Sequence, residues 1–315
     1  MPDLLRHCDA DAFPLADASA TATSTPPCES LANHGLSLRT HPRSRSRYRT
    51  DARLLEPLFH HRVLEQGCLA DDPTHADAVF VPYYAALDAL PYVLNTELLD
   101  LDLDASAQHG LELAEFLARD QPWILARRWG HDHFLVVSGS AWDYAQPPSA
   151  DPRMWGTTSL LRLPELANFT FLTLESRIWP WQEHAIPHLT SFHPASLPHL
   201  RAWLARARRS GRGTLMLFAG GVSRPSRPNI RGSILAECAN RTDACAVVDC
   251  SGGKCSHDPG RYMRAMLKAK FCLEPPGDTP MRRSTFDAIL AGCVPMFFED
   301  LAARSQYGWH LPRAV

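Results

Sequence analysis

From Thr214 onward, short apolar runs and helical stretches follow one another in strict alternation: TLMLFAG, NIRGSILAECAN, ACAVVD, DPGRYMRAMLKA, KFCLEP, PMRRSTFDAILAG, VPMFF. Apolar runs of this kind suit strands buried on both faces, with helices as crossovers between them. The stretch therefore reads as a doubly wound α/β unit around a parallel sheet. It stops at Val315, soon after a strand, so its last helices are expected to be missing.

The earlier half is less regular. DARLLEPLFHHRVLEQG reads as a helix with Leu54, Leu55, Leu58, Val63 and Leu64 near one face, and Pro57 as a kink or a late start. AVFVP, HFLVVSG and FTFLTLE read as strands, and DASAQHGLELAEFLARD as a helix turning Leu111, Leu113, Phe116 and Leu117 inward. A basic amphipathic helix, LPHLRAWLARARRSGRG, closes this half. The expected organisation is an irregular segment over 1–50, a first α/β domain over 51–209 and a second over 210–315.

Charge and cysteine content serve mainly to exclude. A net charge of −2 over 315 residues implies no general affinity for nucleic acid. The arginine runs at Arg43–Arg49 and Arg201–Arg212 read as solvated faces. No apolar stretch approaches the ~20 residues that span a bilayer, and the first residues lack a signal-peptide core. Taken literally, the chain is expected to be soluble and without an export signal. Nine cysteines include no C-x-x-C pair, so no metal site is expected. Cys238, Cys245, Cys250 and Cys255 crowd together, as disulfides in an oxidising compartment would. The triplets Asn168-Phe-Thr and Asn240-Arg-Thr are glycosylation acceptors in form. Cys272 and Cys293 read as core packing.

The stretch FCLEPPGDTPMRRSTFDAILAGCVPMFF, Phe271 to Phe298, carries the chemistry. Thr279 suits a helix N-cap, Pro280 the first helical position and Gly292 a left-handed C-cap, predicting a helix over 280–291. Its start lies at the carboxyl end of the preceding strand, where open α/β sheets bind ligands. Free amides attract anions there, and Gly277 allows close approach. Arg282 and Arg283 would oppose the dipole in the first turn, at about 0.3–1 kcal/mol each, unless an anion docks. Adjacent helical residues diverge by about 100 degrees, so one arginine is expected to bind and the other to pair with a carboxylate. After TLMLF, Gly220 and Gly221 precede Arg224, Arg227 and Arg231 at the same sheet edge. Two arginine-bearing loops at one edge suit a diphosphate, as in a nucleotide-sugar.

These residues resemble the signature of exostosin-like glycosyltransferases, and within them the plant xyloglucan galactosyltransferase group. Further similarity runs in order through Glu56 to Arg62, Ala78 to Asp88, Trp129 to Phe134, Trp142 to Tyr144, Glu175-Ser176, Ile186 to Pro194, Leu217 to Gly220 and Asp249 to Cys255. Departures stand at Gln182-Glu183-His184 and at His188-Leu189. The resemblance implies a GT-B fold of two Rossmann-like domains facing a cleft, the second expected to be incomplete here. It implies an inverting, metal-independent sugar transfer from a UDP-sugar to a cell-wall polysaccharide, with no cofactor beyond the donor. It also implies a Golgi enzyme held by an N-terminal anchor, which is expected to be absent here, in possible association with other Golgi glycosyltransferases.

An inverting transfer needs a base for the acceptor hydroxyl and stabilisation of the departing UDP. Arg224, Arg282, Arg283 and Ser284, with Gly220 and Gly277, are the donor-side candidates. Asp143 and Asp88, each after a strand of the first half, are candidate bases, with His193 and His133 behind them. Glu299 and Asp300 follow VPMFF and suit ribose hydroxyls. Tyr83, Tyr84 and Trp142 suit sugar stacking. The rival expectation is an inactive fragment that binds glycan or partner enzymes.

Overall fold

The computed structural model describes residues 31–42, 46–88, 103–145, 159–177, 182–221, 230–257, 259–277 and 279–310. Two compact units emerge: Ala52–Pro187, and the residues up to Asp51 joined with those from His188 onward. The expected boundary at 209 differs from this division. The helix before it, Leu197–Arg209, belongs to the second sheet, against which Trp203 and Ala207 are buried.

In the unit Ala52–Pro187, a 3-10 turn at Ala52–Leu54 leads into α1, Leu55–Glu65. Pro57 sits in its first turn, where a missing N–H costs nothing, so the late start is the one that forms. Leu54, Leu55 and Leu58 are buried, whereas Leu64 is exposed. Next come β1 (Val79–Phe80), α2 (Leu103–Asp120), α3 (Pro122–Ala126), β2 (His133–Ser140), β3 (Thr170–Glu175) and β4 (Glu183–Ala185). The strands lie in the order β1-β2-β3-β4, all parallel. Strand β4 was not expected, because EHA carries no apolar run. On α2 the buried face is Gly110, Ala114 and Leu117, with Leu113 partly buried, a helical spacing. Leu111 and Phe116 are exposed, contrary to expectation. Gly110 is required at that face: a Cβ there would stand 2.8 Å from Leu163 Cδ1.

The other unit contains α4 (Leu197–Arg209), β5 (Thr214–Gly220), α5 (Arg231–Asn240), β6 (Cys245–Asp249), α6 (Lys254–His257), α7 (Pro259–Met266), β7 (Ala269–Glu274), α8 (Ser284–Ala291) and β8 (Val294–Phe297). Its parallel strands run β6-β5-β7-β8, so the winding reverses between β5 and β7. The mixed α/β class and both parallel sheets agree with the sequence reading. Residues 46–50 are not loose: Tyr48 and Thr50 are buried, and the backbone pairs with residue 39 and with Phe192. Arg212 is not a solvated charge either. It donates to the carbonyls of Met266, Ala269, Ala207 and Ala291, gathering three helix C-termini, where a cation is favoured.

Cys238–Cys245 and Cys250–Cys255 form disulfides, as their crowding implied. Cys272 and Cys293 correct the reading of plain core packing: they too are joined. The reason is register. Cys272 lies on β7 and Cys293 immediately precedes its neighbour β8, which brings their Cα atoms to 5.8 Å.

Candidate active site

The turn of winding between β5 and β7 puts two loops side by side at the carboxyl edge of the second sheet, where ligands bind in such folds. Arg231, the first residue of α5, joins them, donating from Nε to Pro276 O at 3.0 Å and from Nη1 to Gly221 O at 3.2 Å. Arg282 approaches from the other side, with Nη2 bonded to Thr279 O. Both guanidiniums close on Gly277: a Cβ there would lie 2.6 Å from Arg231 Nη2 and 2.6 Å from Arg282 Cζ. Only glycine leaves that space. Gly220 similarly lies against a ring, with a Cβ there 2.8 Å from Phe218 Cζ.

Beneath the pair lies Glu274, the buried last residue of β7. Ser284 Oγ donates to its Oε2 at 2.5 Å. Burial raises this carboxyl to about 8, against the pull of Ser284, Arg282 and Arg231. A carboxyl held up in this way carries less negative charge near neutral pH than an ordinary glutamate.

Helix α8 begins at Ser284, not at Pro280, which corrects the expected cap at Thr279. The intervening residues turn Met281 into the core, where it is 2% exposed. Burying that side chain, worth about 1.5–3 kcal/mol, outweighs one more helical turn. Arg283 consequently precedes the helix. Its Nη1 donates to Thr50 O at 2.6 Å, its Nη2 bonds Ser191 Oγ, and its Nε lies 4.0 Å from Asp287 Oδ2. Tyr262 donates to Asp287 Oδ2 at 2.6 Å, and burial raises the Asp287 carboxyl. A hollow of about 140 Å³ adjoins this network, between Ala219, Cys250, Cys255, Tyr262 and Ser284. His188 stands nearby as a neutral imidazole, lowered to about 3 by burial and then by Arg283 and Arg282.

A second constellation forms at the carboxyl edge of the first sheet. Its centre is Glu56, buried on the core face of α1 and not anticipated from the sequence. Its Oε1 accepts from Ser138 N at 2.7 Å and Ala86 N at 3.0 Å, clasping the segments after β1 and within β2. Burial raises it to about 8. Tyr83 bonds Asp88 Oδ2, and both Tyr83 and the buried Tyr144 feel Glu56. Asp143 follows β2 in the turn Ala141–Tyr144 and also bears on Tyr144. Asp88 thus bears on Tyr83 and Glu56, and Asp143 on Tyr144, which also feels Glu56. A carboxylate inside the run LLEPLF was the signal for Glu56.

The remaining candidates are dispersed. His193 belongs to the other unit, where Nε2 donates to Thr190 O at 2.7 Å. His133, fully buried and bonded to Asp132, opens β2 at the opposite edge. Glu299 is half-buried after β8, and Asp300 is exposed. Tyr84 is buried with its hydroxyl on His60 Nδ1, and Trp142 is 41% exposed. Arg224 and Arg227 lie outside the described residues. Among the described residues no three carboxylates, imidazoles or thiols converge as a metal-binding set.

The two buried carboxyls predict an inverted pH dependence. Both have folded values of about 8, above the ordinary 4.5. Between these limits the unfolded chain releases protons that the folded chain keeps, so stability falls as pH rises from about 4.5 to 8. Urea midpoints are expected to drop across this range by the equivalent of roughly 2–4 kcal/mol per group. Glu56→Gln and Glu274→Gln should each flatten the slope; parallel curves for wild type and variants would contradict the assignment.

A doubly wound parallel sheet with guanidinium groups at its switch point is of the class that binds ligands at the carboxyl ends of its strands. The exostosin GT47 domain matches residues 3–315, and the chain belongs to this family of glycosyltransferases. The resemblance seen in its segments is borne out. The chain is 54% identical to probable xyloglucan galactosyltransferase GT19 of Arabidopsis thaliana, over 99% of this chain and 69% of that protein. Xyloglucan galactosyltransferase MUR3 of the same plant is 37% identical, over 84% of this chain and 42% of its own length. Xyloglucan-specific galacturonosyltransferase 1, also from that plant, is 32% identical, over 98% of this chain and 44% of its own length. The chain thus spans about two thirds of the first relative and less than half of the other two. No solved structure matches it. Among the described residues no helix is long and apolar enough to cross a membrane.

Proposed function

We propose that this chain transfers galactose from UDP-galactose to xyloglucan, with inversion and without a metal ion. The observation that carries the proposal is the convergence of Arg231 and Arg282 on Gly277 at the switch point of the second sheet. An acceptor hydroxyl attacks the anomeric carbon, the new C–O bond forms as the bond to the diphosphate breaks, and UDP departs. Its developing charge falls on the two guanidiniums, planar forks suited to phosphate oxygens. The amide start of α8 adds positive potential. The reduced negative charge of Glu274 supports this role, because a fully ionised carboxylate there would compete with the diphosphate.

The acceptor proton passes to a carboxylate of the first unit, Asp88 or Asp143, held by the group around Glu56. The GT-B arrangement, with donor and acceptor domains sharing one transfer site, is part of this proposal. So is the Golgi lumen as its compartment, which the disulfides among the described residues favour. Galactose is chosen because the relative at 54% identity is named for it; the galacturonosyl relative shows that the donor sugar varies among relatives.

Titration calorimetry with UDP, followed by UDP release from UDP-galactose in the presence of xyloglucan, tests the reading. Saturable UDP binding and xyloglucan-dependent release are expected. Binding without release would point to a non-catalytic member, and no binding would refute the donor site. Asp88→Asn and Asp143→Asn then identify the base, by a loss of about 100-fold or more in turnover with UDP affinity kept.

A further inference from the structure

We propose that Asn240 is an N-glycosylation site, and that its glycan projects from the edge of the second sheet opposite the donor site. The triplet Asn240-Arg241-Thr242 has all three residues exposed. Asn240 ends α5, and Arg241 closes a tight turn whose carbonyl accepts from Ala244 N at 3.0 Å and Cys245 N at 2.8 Å. Arg241 is paired sideways with Asp243, with both side chains about two-thirds exposed. The disulfide Cys238–Cys245 closes this short segment, so the acceptor asparagine is displayed on a pinned knuckle. That knuckle leads into the first residue of β6. All strands of the sheet are parallel, so it lies at their amino edge, whereas Gly221, Gly277 and Arg282 lie at the carboxyl edge. A glycan there leaves the donor site open.

The second triplet, Asn168-Phe169-Thr170, is built differently. Asn168 is half-buried and its Nδ2 donates to Trp129 O at 2.8 Å. Phe169 is 1% exposed and Thr170 begins β3. Its amide nitrogen is already engaged with a backbone carbonyl, so Asn240 is the site chosen. The disulfides among the described residues independently favour an oxidising lumen, where such chemistry occurs. The step balances simply. Asn240 Nδ2 attacks the anomeric carbon of a lipid-diphosphate-linked oligosaccharide, a C–N bond forms, the C–O bond to the diphosphate breaks, and the amide proton leaves to a base of the transferring enzyme.

The tagged protein expressed in plant cells, treated with a peptide-N-glycosidase active on plant glycans, provides the test. One glycan's downward shift in mass is expected for wild type and for Asn168→Gln. Asn240→Gln and Thr242→Ala should lack the shift, while Thr242→Ser, which restores the acceptor triplet, should retain it. UDP affinity of the Asn240→Gln protein should equal wild type, which also shows that the variant folds. An unshifted wild-type protein, or a shift abolished by Asn168→Gln and kept by Asn240→Gln, overturns the proposal.

Discussion

Replacing Arg282 by alanine is expected to weaken UDP binding by about 30–100-fold while leaving thermal stability nearly unchanged. The side chain is partly exposed and stands with Arg231 around Gly277. A charge-assisted contact to phosphate is worth about 2–3 kcal/mol, which converts to that loss. Lysine at 282 keeps the charge but not the fork, so an intermediate value is expected. Gly277→Ala should act in the same direction by another route. Its methyl would meet both guanidiniums, with Arg231 Nη2 only 2.6 Å away, and push them from the site. Calorimetric titration with UDP, alongside thermal unfolding, measures both. Wild-type affinity in Arg282→Ala would remove the donor site from where it is placed here.

Its neighbour should behave in the opposite way. Arg283→Ala is expected to destabilise the fold by about 3 kcal/mol, with UDP affinity of the folded fraction changed only slightly. Removing the guanidinium strips partners from Thr50 O and Ser191 Oγ and leaves Asp287, 1% exposed, without its cation. Asp287→Asn, which keeps shape and the Tyr262 contact, should cost less. In a double-mutant cycle, Arg283→Ala and Asp287→Ala should couple, because each loss exposes the other's unpaired group. Urea unfolding measures these values. Equal stability of Arg283→Ala and wild type would mean that the network contributes nothing.

Most strands could be read from the chain. TLMLFAG coincides with β5, Thr214–Gly220: the uninterrupted apolar run marks the strand, although only Leu217 and Phe218 are buried while Leu215 and Met216 are exposed. Gly292 was legible as a C-cap and has φ +68. Strand β4 was not legible, since EHA pairs through its backbone at a sheet edge and needs no apolar side chains. The start of α8 was misplaced because Thr279 and Pro280 are good local signals that the burial of Met281 overrides. Of the candidate site, the loops that carry Gly277, Arg231 and Arg282 were legible as lying at one sheet edge. Glu274 and Glu56 were not, because a carboxyl held protonated by burial looks in sequence like any surface acid.

The amino-acid order alone determined the alternation of strand and helix, and with it the edge at which Gly220, Gly277, Arg282 and Arg283 stand. Apolar periodicity and backbone chemistry are local, and they act through neighbours in the chain. The tertiary structure decided which arginine turns toward Gly277 and which is committed to Ser191, Thr50 and Asp287. It also decided which cysteines join and which carboxyls keep their protons. These outcomes depend on burial and on partners remote in sequence, as with Arg283 and Thr50, and no local pattern records them.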